Sequence, residues 1–378
     1  MSKIVVIGAG QTGRGFIGRL LAEADQQIMF VDSNLQLIEA LRAAGEYTVR
    51  FYGNKKPPVT VKDYIVCGWD DADFLGVELI FVSVAGQNLP AVGKMLHAKL
   101  SPLKNYVVIA CENSKNPAGV LQSAIGLSCV STSEATVFCT TINDGPCDIW
   151  SQDYPYLQFD TDRLNGYDPS ISGILPYHNF GDLLMRKLYT YNATSCIIAY
   201  LGWAKAYTNY ASAANDAQIS ELTDRYLSEI NRAMCQEYGY DCQEQRSFAE
   251  QAKEKFCCRE IVDTVERNAR QPQRKLAADE RIIGPMKLID KHGGDVAILA
   301  MTVAAALCYE SSSDPEWTKY KAGRTPETIL SDLCGLPAEH YLHGTIMQYY
   351  RKFAAKQECN ALPACGAMDT ILVSDSRM

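Results

Sequence analysis

Four glycines stand directly after the first apolar run of the chain. Gly8, Gly10, Gly13 and Gly15 follow "KIVVI" in a GxGxxGxG pattern, and "FIGRLLAEA" then has helical periodicity. In a strand–turn–helix unit the first glycine permits a tight turn, the second lets backbone amides approach a pyrophosphate, and the third allows close helix packing. The pattern predicts a dinucleotide site, with a glycine turn that binds nothing as the alternative.

The next apolar run, "QIMFVD", ends at Asp32. This is close to the offset of roughly 20 residues expected for an acid that accepts hydrogen bonds from ribose hydroxyls. A carboxylate there repels a 2′-phosphate, so we predict NAD rather than NADP as the cofactor. Strand, helix and acid together favour dinucleotide binding over the alternative.

Two later apolar runs end in polar turns. Ala85 and Gly86 follow the run in "VELIFVSVAGQNL", and Asn113 follows the run in "NYVVIACENSKN". Ligands of open α/β sheets gather at the carboxyl ends of strands, so these three residues are predicted beside the nicotinamide ring. For Asn113 a plain turn role is equally open, because asparagine is common after strands.

Three polar residues of one predicted helix have the types that acid–base chemistry needs. Asn192 and Ser195 share a helix face, and Lys187 lies roughly 80° around from Ser195 at about 3.6 residues per turn. A dehydrogenase needs a base for the hydroxyl proton, and desolvation can lower the pKa of a lysine toward neutrality. Amide side chains would donate to the developing alkoxide. A solvated lysine on a polar helix face is the alternative.

The segment 265–285 concentrates cations in a chain of net charge −8. Its basic residues are Arg267, Arg270, Arg274, Lys275 and Arg281. Because guanidinium groups match phosphate oxygens and lysine supplies a point charge, we predict that Arg270, Arg274 and Lys275 bind a substrate phosphate. The alternative is a set of local ion pairs, whose acids would be Asp263, Glu266, Asp279 and Glu280.

Positioning these residues requires a doubly wound, mostly parallel α/β Rossmann domain over 1–182 and an all-α substrate domain over 183–378. Nearly everything after Asp182 has helical periodicity. Before it, "EATVFCTTIND" is predicted as a further strand and "DIWSQDYPYLQFD" as an extension of the same sheet. The apolar run 296–307 is predicted as a buried helix, because it is too short to span a bilayer.

The composition restricts partners and compartment. The length of 378 residues suits two domains, and the net charge of −8 argues against a nucleic-acid surface. The 14 cysteines form no CxxC pair or regular framework, which is typical of reduced thiols. The start "MSKIVVIG" shows no signal-peptide pattern. We expect a cytoplasmic enzyme with a small-molecule substrate, no membrane partner and no metal, as a monomer or homodimer.

Four passages resemble the polyol-specific long-chain dehydrogenases, in the branch that acts on polyol phosphates. They are "GAGQTGRGFIG", "IACEN", "RKLYTYN…AYLG" and "VERNARQPQRKL…DERII". The resemblance implies a metal-independent NAD enzyme that transfers hydride between nicotinamide and a sugar phosphate or polyol phosphate, of the fructose 6-phosphate and mannitol 1-phosphate type. It implies Lys187 as general acid/base, with Asn192 and Asn113 binding the reacting oxygen.

The chain departs from the family's pattern twice. The family reads K-x4-N-x2-H, and Ser195 stands in place of that histidine, with His178 the nearest histidine in sequence. A serine donates one hydrogen bond but does not share a proton as imidazole does at neutral pH. Where relatives tend to read "DRI.P", the residues 143–147 read "NDGPC". Both changes are expected near the substrate.

An altered acid–base set leaves two alternatives open. One is an enzyme that retains NAD and oxidises its substrate only transiently, as an epimerase or a redox-assisted lyase does. The other is a non-catalytic NAD-binding sensor, against which the retained Lys187 and Asn192 argue.

Overall fold

Short runs rich in Val, Ile and Phe become strands in the first half of the chain, since glycine or polar residues bound most of them. The computed structural model describes residues 3–54, 56–114 and 116–360. Its strands are β1 Lys3–Ile7, β2 Ile28–Val31, β3 Glu46–Phe51, β4 Val59–Lys62, β5 Ile65–Cys67, β6 Val77–Val82, β7 Tyr106–Ala110, β8 Val130–Thr136, β9 Thr141–Asn143, β10 Asp148–Ser151, β11 Leu157–Asp160 and β12 Ile174–Tyr177.

Eight of these strands form one sheet in the order β12-β11-β8-β7-β6-β1-β2-β5. The strands from β5 to β8 in this order are mutually parallel, whereas β11 runs antiparallel to β8 and parallel to β12. Counted along the chain, the parallel strands have the 3-2-1-4-5-6 order of a Rossmann sheet. The predicted doubly wound Rossmann fold is confirmed.

Helices cover both faces of this sheet. They are the π turn Gly13–Gly18 that leads into α1 Arg19–Glu23, then α2 Leu35–Ala44, α3 Leu89–Lys99 and α4 Pro117–Ile125, with short 3-10 turns at Tyr52–Asn54, Gly86–Asn88 and Asp162–Leu164. One apolar layer joins α1 and α2 to the sheet, and a second layer joins α3 and α4 to the opposite face. Each strand of the parallel core is therefore buried on both sides.

Four strands form a second sheet, β4-β3-β10-β9, which the sequence did not predict. The single strand expected over 134–144 is wrong, because β8 ends at Thr136 and β9 belongs to the second sheet. The aromatic segment 148–160 is divided as well, since β10 joins the second sheet and only β11 extends the first. A Cβ on Gly15 would lie 2.6 Å from Cγ2 of Ile149, so this glycine lets the second sheet pack against the first crossover helix.

The chain divides into two compact units between Gly181 and Asp182, and the second unit is built from helices. From the boundary onward they are α5 Phe180–Lys187, the π turn Leu188–Asn192, α6 Ala193–Ala204, α7 Tyr210–Ala214, α8 Ala217–Tyr238, α9 Cys242–Cys257, α10 Val265–Ala269, α11 Pro272–Lys275, α12 Ile283–Lys291, α13 Ala297–Cys308, α14 Pro315–Lys321, α15 Pro326–Asp332 and α16 Tyr341–Asn360. The predicted all-α fold of this part is confirmed.

Helix α13 lies at the centre of the helical core. All of its residues from Ile298 to Cys308 are buried, as predicted for the apolar run 296–307. None of the helices in the part of the chain that the structure describes combines the length and the apolar composition needed to cross a bilayer.

Candidate active site

The glycine turn after β1 is closely packed. Gly8 has a φ of +94°, and a Cβ there would lie 2.2 Å from the carbonyl oxygen of Ser83. A Cβ on Gly13 would lie 1.9 Å from the carbonyl oxygen of Gly8, so the crossover helix approaches the turn too closely for any side chain. A Cβ on Gly10, by contrast, would meet no heavy atom of the described residues within 4 Å, its chain neighbours aside. The turn thus has the close packing and the open approach that a pyrophosphate needs.

Asp32, directly after β2, is half-buried and bound to the same turn. Its Oδ2 accepts a hydrogen bond from the Ala9 amide at 2.7 Å, and its Oδ1 accepts one from the Asn34 amide at 2.8 Å. Each carboxylate oxygen has further acceptor capacity, so both remain able to accept from ribose hydroxyls. Its negative charge disfavours a 2′-phosphate, which agrees with NAD as the cofactor.

Ala85, Gly86 and Asn113 lie at the carboxyl ends of two neighbouring strands, β6 and β7. A Cβ on Gly86 would lie 2.9 Å from Cβ of Ser114, so the loops after these strands touch. Asn113 is exposed, and its Nδ2 donates to the Val137 carbonyl at 3.5 Å. The structure therefore brings these residues to the same edge of the sheet as the glycine turn.

Lys187, Asn192 and Ser195 lie on one continuous helix that contains a π turn. Helix α5 ends at Lys187, the π turn follows, and the Ala193 amide donates to the carbonyl of Leu188, five residues back. A π turn brings residue i+5 over residue i, whereas an uninterrupted α-helix would separate the two by about 140°. Lys187 and Asn192 therefore share a face, which the periodicity of about 3.6 residues did not predict.

Buried side chains supply partners for the π turn. The Tyr226 hydroxyl donates to the Tyr189 carbonyl, and the Thr194 hydroxyl donates to the Thr190 carbonyl at 2.6 Å. Gln245 donates to the Thr190 hydroxyl at 3.1 Å. These contacts satisfy polar groups around the irregular turn, which is the usual condition for a π turn in a packed core.

Ser195 is half-buried, and its Oγ accepts a hydrogen bond from the Tyr210 hydroxyl at 3.1 Å. Burial raises the pKa of Tyr210 well above its ordinary value, so the phenol stays a protonated donor at neutral pH. The Ser195 hydroxyl keeps its own proton for donation elsewhere. A serine paired with a tyrosine thus stands where the family's pattern has an imidazole.

Some arginines of the basic segment 265–285 form ion pairs with carboxylates, and others do not. Arg267 pairs with Asp263 at 3.1 Å, and Arg281 pairs with Glu280 at 3.1 Å, as the ion-pair alternative expects. Arg270 and Arg274 are exposed, and within the described part of the chain no carboxylate lies within 4.0 Å of either guanidinium. These two arginines are accordingly available to an anion.

Lys275 is buried behind them. Its ammonium donates to the Asn268 carbonyl and lies 5.6 Å from the ring centroid of Tyr200, a residue of α6. Burial, with the nearby Arg281 and Arg274, lowers the pKa of Lys275 to about 8. The Tyr200 hydroxyl donates to the Ala269 carbonyl at 2.8 Å, so the basic segment packs against the helix that carries Ser195.

The two departures from the family's pattern lie on different elements, Ser195 on α6 and the residues 143–147 in the second sheet. His178, the histidine nearest to Ser195 in sequence, follows β12, three strand spacings or about 14 Å from β7, and its Nδ1 lies 2.6 Å from Oδ1 of Asp162. The residues 143–147 form the turn between β9 and β10, where Oδ1 of Asn143 accepts a hydrogen bond from Arg14 at 3.2 Å. Sequence reasoning missed Arg14, whose signal is its position directly after Gly13 in "GRGFIG".

Two family profiles match the chain. The mannitol dehydrogenase Rossmann domain matches residues 2–142, and the mannitol dehydrogenase C-terminal domain matches residues 180–325. The chain belongs to the mannitol dehydrogenase family. It is accordingly an NAD-dependent dehydrogenase of the polyol class, and the β1 turn with Asp32 fits the cofactor. In the described residues no three His, Cys, Asp or Glu side chains are grouped as a metal site would require.

Relatives of known name cover nearly the whole chain. The mannitol-1-phosphate 5-dehydrogenase of Geobacillus thermodenitrificans is 27% identical over 94% of this chain and 100% of its own. That of Brevibacillus brevis is 25% identical over 92% and 97%. The Pseudomonas fluorescens mannitol 2-dehydrogenase, solved as a ternary complex with NAD and D-mannitol, has a TM-score of 0.68 at 13% identity, over 94% of this chain and 92% of that one. At that identity the likeness concerns the fold.

Proposed function

We propose that the protein transfers hydride between nicotinamide and a sugar phosphate or polyol phosphate, of the fructose 6-phosphate and mannitol 1-phosphate type. The observation that supports a phosphorylated substrate is the exposure of Arg270 and Arg274. Neither arginine has a carboxylate partner in the described part of the chain. The names of the two bacterial relatives support the same substrate class. In this proposal residues 1–182 bind NAD, and residues 183–378 bind the phosphate and supply the acid/base.

Lys187 is the proposed general acid/base. The bound coenzyme would supply the hydride as NADH in reduction and take it up as NAD+ in oxidation. During reduction, Nζ of Lys187 donates a proton to the carbonyl oxygen, and during oxidation its neutral amine accepts the hydroxyl proton. Asn192 and Ser195, on the same helix as Lys187, are proposed to donate hydrogen bonds to that oxygen as negative charge develops.

The phosphate contacts are proposed for Arg270 and Arg274, whose planar guanidinium groups suit two oxygens each. Lys275 lies behind them and adds positive charge from a buried position. Arg267 and Arg281, already paired with acids, are not assigned to the phosphate.

Kinetics with matched substrates test this assignment. Arg270→Ala and Arg274→Ala should each raise KM for fructose 6-phosphate about 10- to 100-fold, the worth of a charge-assisted hydrogen bond, and leave any activity on fructose unchanged. Arg267→Ala is the matched control, because that arginine is paired with Asp263. An equal rise for fructose, or for the control variant, would contradict a phosphate role.

Substitution at position 195 tests the departure from the family's pattern. Ser195→His should raise kcat with mannitol 1-phosphate, since an imidazole shares a proton at neutral pH and a hydroxyl does not. Steady-state rates across pH measure this, with Tyr210→Phe as the companion that removes the partner of the serine. No gain in kcat would mean that the surroundings of Ser195 are also adapted to serine.

A further inference from the structure

Arg14 is completely buried although it directly follows the third glycine of the coenzyme turn. Its guanidinium donates to three neutral oxygens: Nε to the Ala9 carbonyl at 2.5 Å, Nη1 to the Pro146 carbonyl, and Nη2 to Oδ1 of Asn143 at 3.2 Å. Burial of a charged group is costly unless its donors are satisfied. This set of acceptors therefore holds the guanidinium in one place.

The peptide groups around Ala9 are held from two sides. The Ala9 carbonyl accepts from Arg14, and the Ala9 amide donates to Oδ2 of Asp32 at 2.7 Å. Gly8, the preceding residue, is held in turn by its amide, which donates to the Val31 carbonyl at 2.8 Å. Without Arg14 the Ala9 carbonyl would lose its side-chain donor, and the orientation of the Ala9 peptide would depend on the Asp32 bond alone.

The other two partners of Arg14 belong to the turn 143–147 of the second sheet. Within this turn Gly145 has a φ of +91°, and the Asp144 amide donates to the Asp148 carbonyl at 2.8 Å. Its residues lie outside the ranges 2–142 and 180–325 that match the family profiles. The second sheet thus supports the coenzyme turn through the Arg14 side chain, in addition to the contact of the Thr12 and Thr141 hydroxyls at 3.4 Å.

We propose that Arg14 is a positioning residue for the coenzyme. Through the Ala9 peptide it sets the orientation of the phosphate-facing turn and of the Asp32 carboxylate, and hence the affinity for NAD and the preference for NAD over NADP. Arg14 touches no reacting atom, so it acts on coenzyme binding and not on the hydride step. The inference rests on NAD binding and is independent of the proposed sugar phosphate.

Fluorescence titration with NADH and NADPH, without any sugar, tests this role. Arg14→Met should raise Kd for NADH about tenfold, equal to about 1.4 kcal/mol, and should lower the preference for NADH over NADPH. In a separate assay with fructose 6-phosphate, which rests on the proposed function, kcat at saturating NADH should stay within about threefold of wild type. Arg19→Met is the matched control, because Arg19 is equally buried on the same helix but bonds Glu23 and the Tyr154 carbonyl. It should lose stability while Kd and coenzyme preference stay unchanged.

Asn143→Ala gives a second, milder test that leaves Arg14 in place. It removes one of three acceptors and should raise Kd for NADH about threefold, which decides the question if Arg14→Met does not fold. A folded Arg14→Met or Asn143→Ala protein with wild-type Kd and preference would overturn the proposal, as would the same shift in Arg19→Met. Wild-type protein that binds no NADH would instead overturn the coenzyme assignment itself.

Discussion

At the scale of single residues, burial distinguishes Lys187 from Lys275, the two lysines of the helical unit for which we propose roles. Lys187 is half-buried at the junction of α5 with the π turn, where Asn192 shares its face. Lys275 is buried against Tyr200 with its ammonium on a backbone carbonyl. An acid/base needs access to substrate and solvent, so the difference in burial supports the proposal that Lys187 transfers the proton and Lys275 adds a supporting charge.

The lowered pKa of Lys275 makes stability depend on pH. In the folded protein the pKa of Lys275 is about 8, against an ordinary value of 10.5, so between these pH values the folded protein binds fewer protons than the unfolded chain. The free-energy cost of burying the charged ammonium is fully present below pH 8 and is lost as pH rises toward 10.5. The free energy of unfolding of wild type, relative to Lys275→Met, should therefore rise by up to about 3 kcal/mol across this window.

Urea unfolding at pH 7.5 and pH 10 measures this difference. Lys291→Met, which removes an exposed lysine paired with Glu237, is the control and should show little change between the two pH values. If the difference in free energy of unfolding between wild type and Lys275→Met is the same at both pH values, Lys275 is not desolvated.

At the scale of elements, the π turn is the feature that sets the spacing of Lys187 and Asn192, the proposed catalytic residues. Its one extra residue per turn brings Lys187 and Asn192 onto one face, and Tyr226 and Gln245 hold it from the neighbouring helices α8 and α9. The π turn thus explains how a lysine and an asparagine five residues apart can lie on one face of a helix.

Tyr226→Phe should loosen this turn. It removes the donor to the Tyr189 carbonyl, and we expect a loss of about 1 kcal/mol in stability, with kcat lowered about tenfold and Kd for NADH unchanged. Tyr207→Phe, which loses a bond to Asp216 elsewhere in the same unit, is the control for stability and should keep kcat. If kcat were equal in Tyr226→Phe and wild type, the turn would not need this support.

The elements that sequence predicted are those whose signals are local. The parallel strands, the glycine turn and the buried α13 follow from apolar runs and glycine spacing. The second sheet was missed because its pairing joins β3 with β10, which lie far apart in the chain. In hindsight Gly15 was the available signal, since that sheet packs on it. The π turn was missed because an assumed α-helical period hides an inserted residue.

At the scale of the whole molecule, the two family profiles follow the two structural units, and the proposed roles follow the same division. The first unit has the turn and the acid that suit NAD. The second has Lys187, Asn192 and Ser195 on one helix, with the basic segment packed against that helix. Membership of a dehydrogenase family argues against the sensor alternative, and Ser195 in place of a histidine leaves net oxidoreduction and transient oxidation as the two alternatives.

The stoichiometry of NADH oxidation with fructose 6-phosphate separates these alternatives most directly. We expect one NADH to be consumed per polyol phosphate formed in wild type. We also expect at least a hundredfold lower kcat for Lys187→Met, with unchanged Kd for NADH, because proton transfer is lost while the coenzyme turn is intact. Sugar phosphate converted without net loss of NADH would contradict net oxidoreduction, and a Lys187→Met variant that turns over like wild type would contradict the role of Lys187.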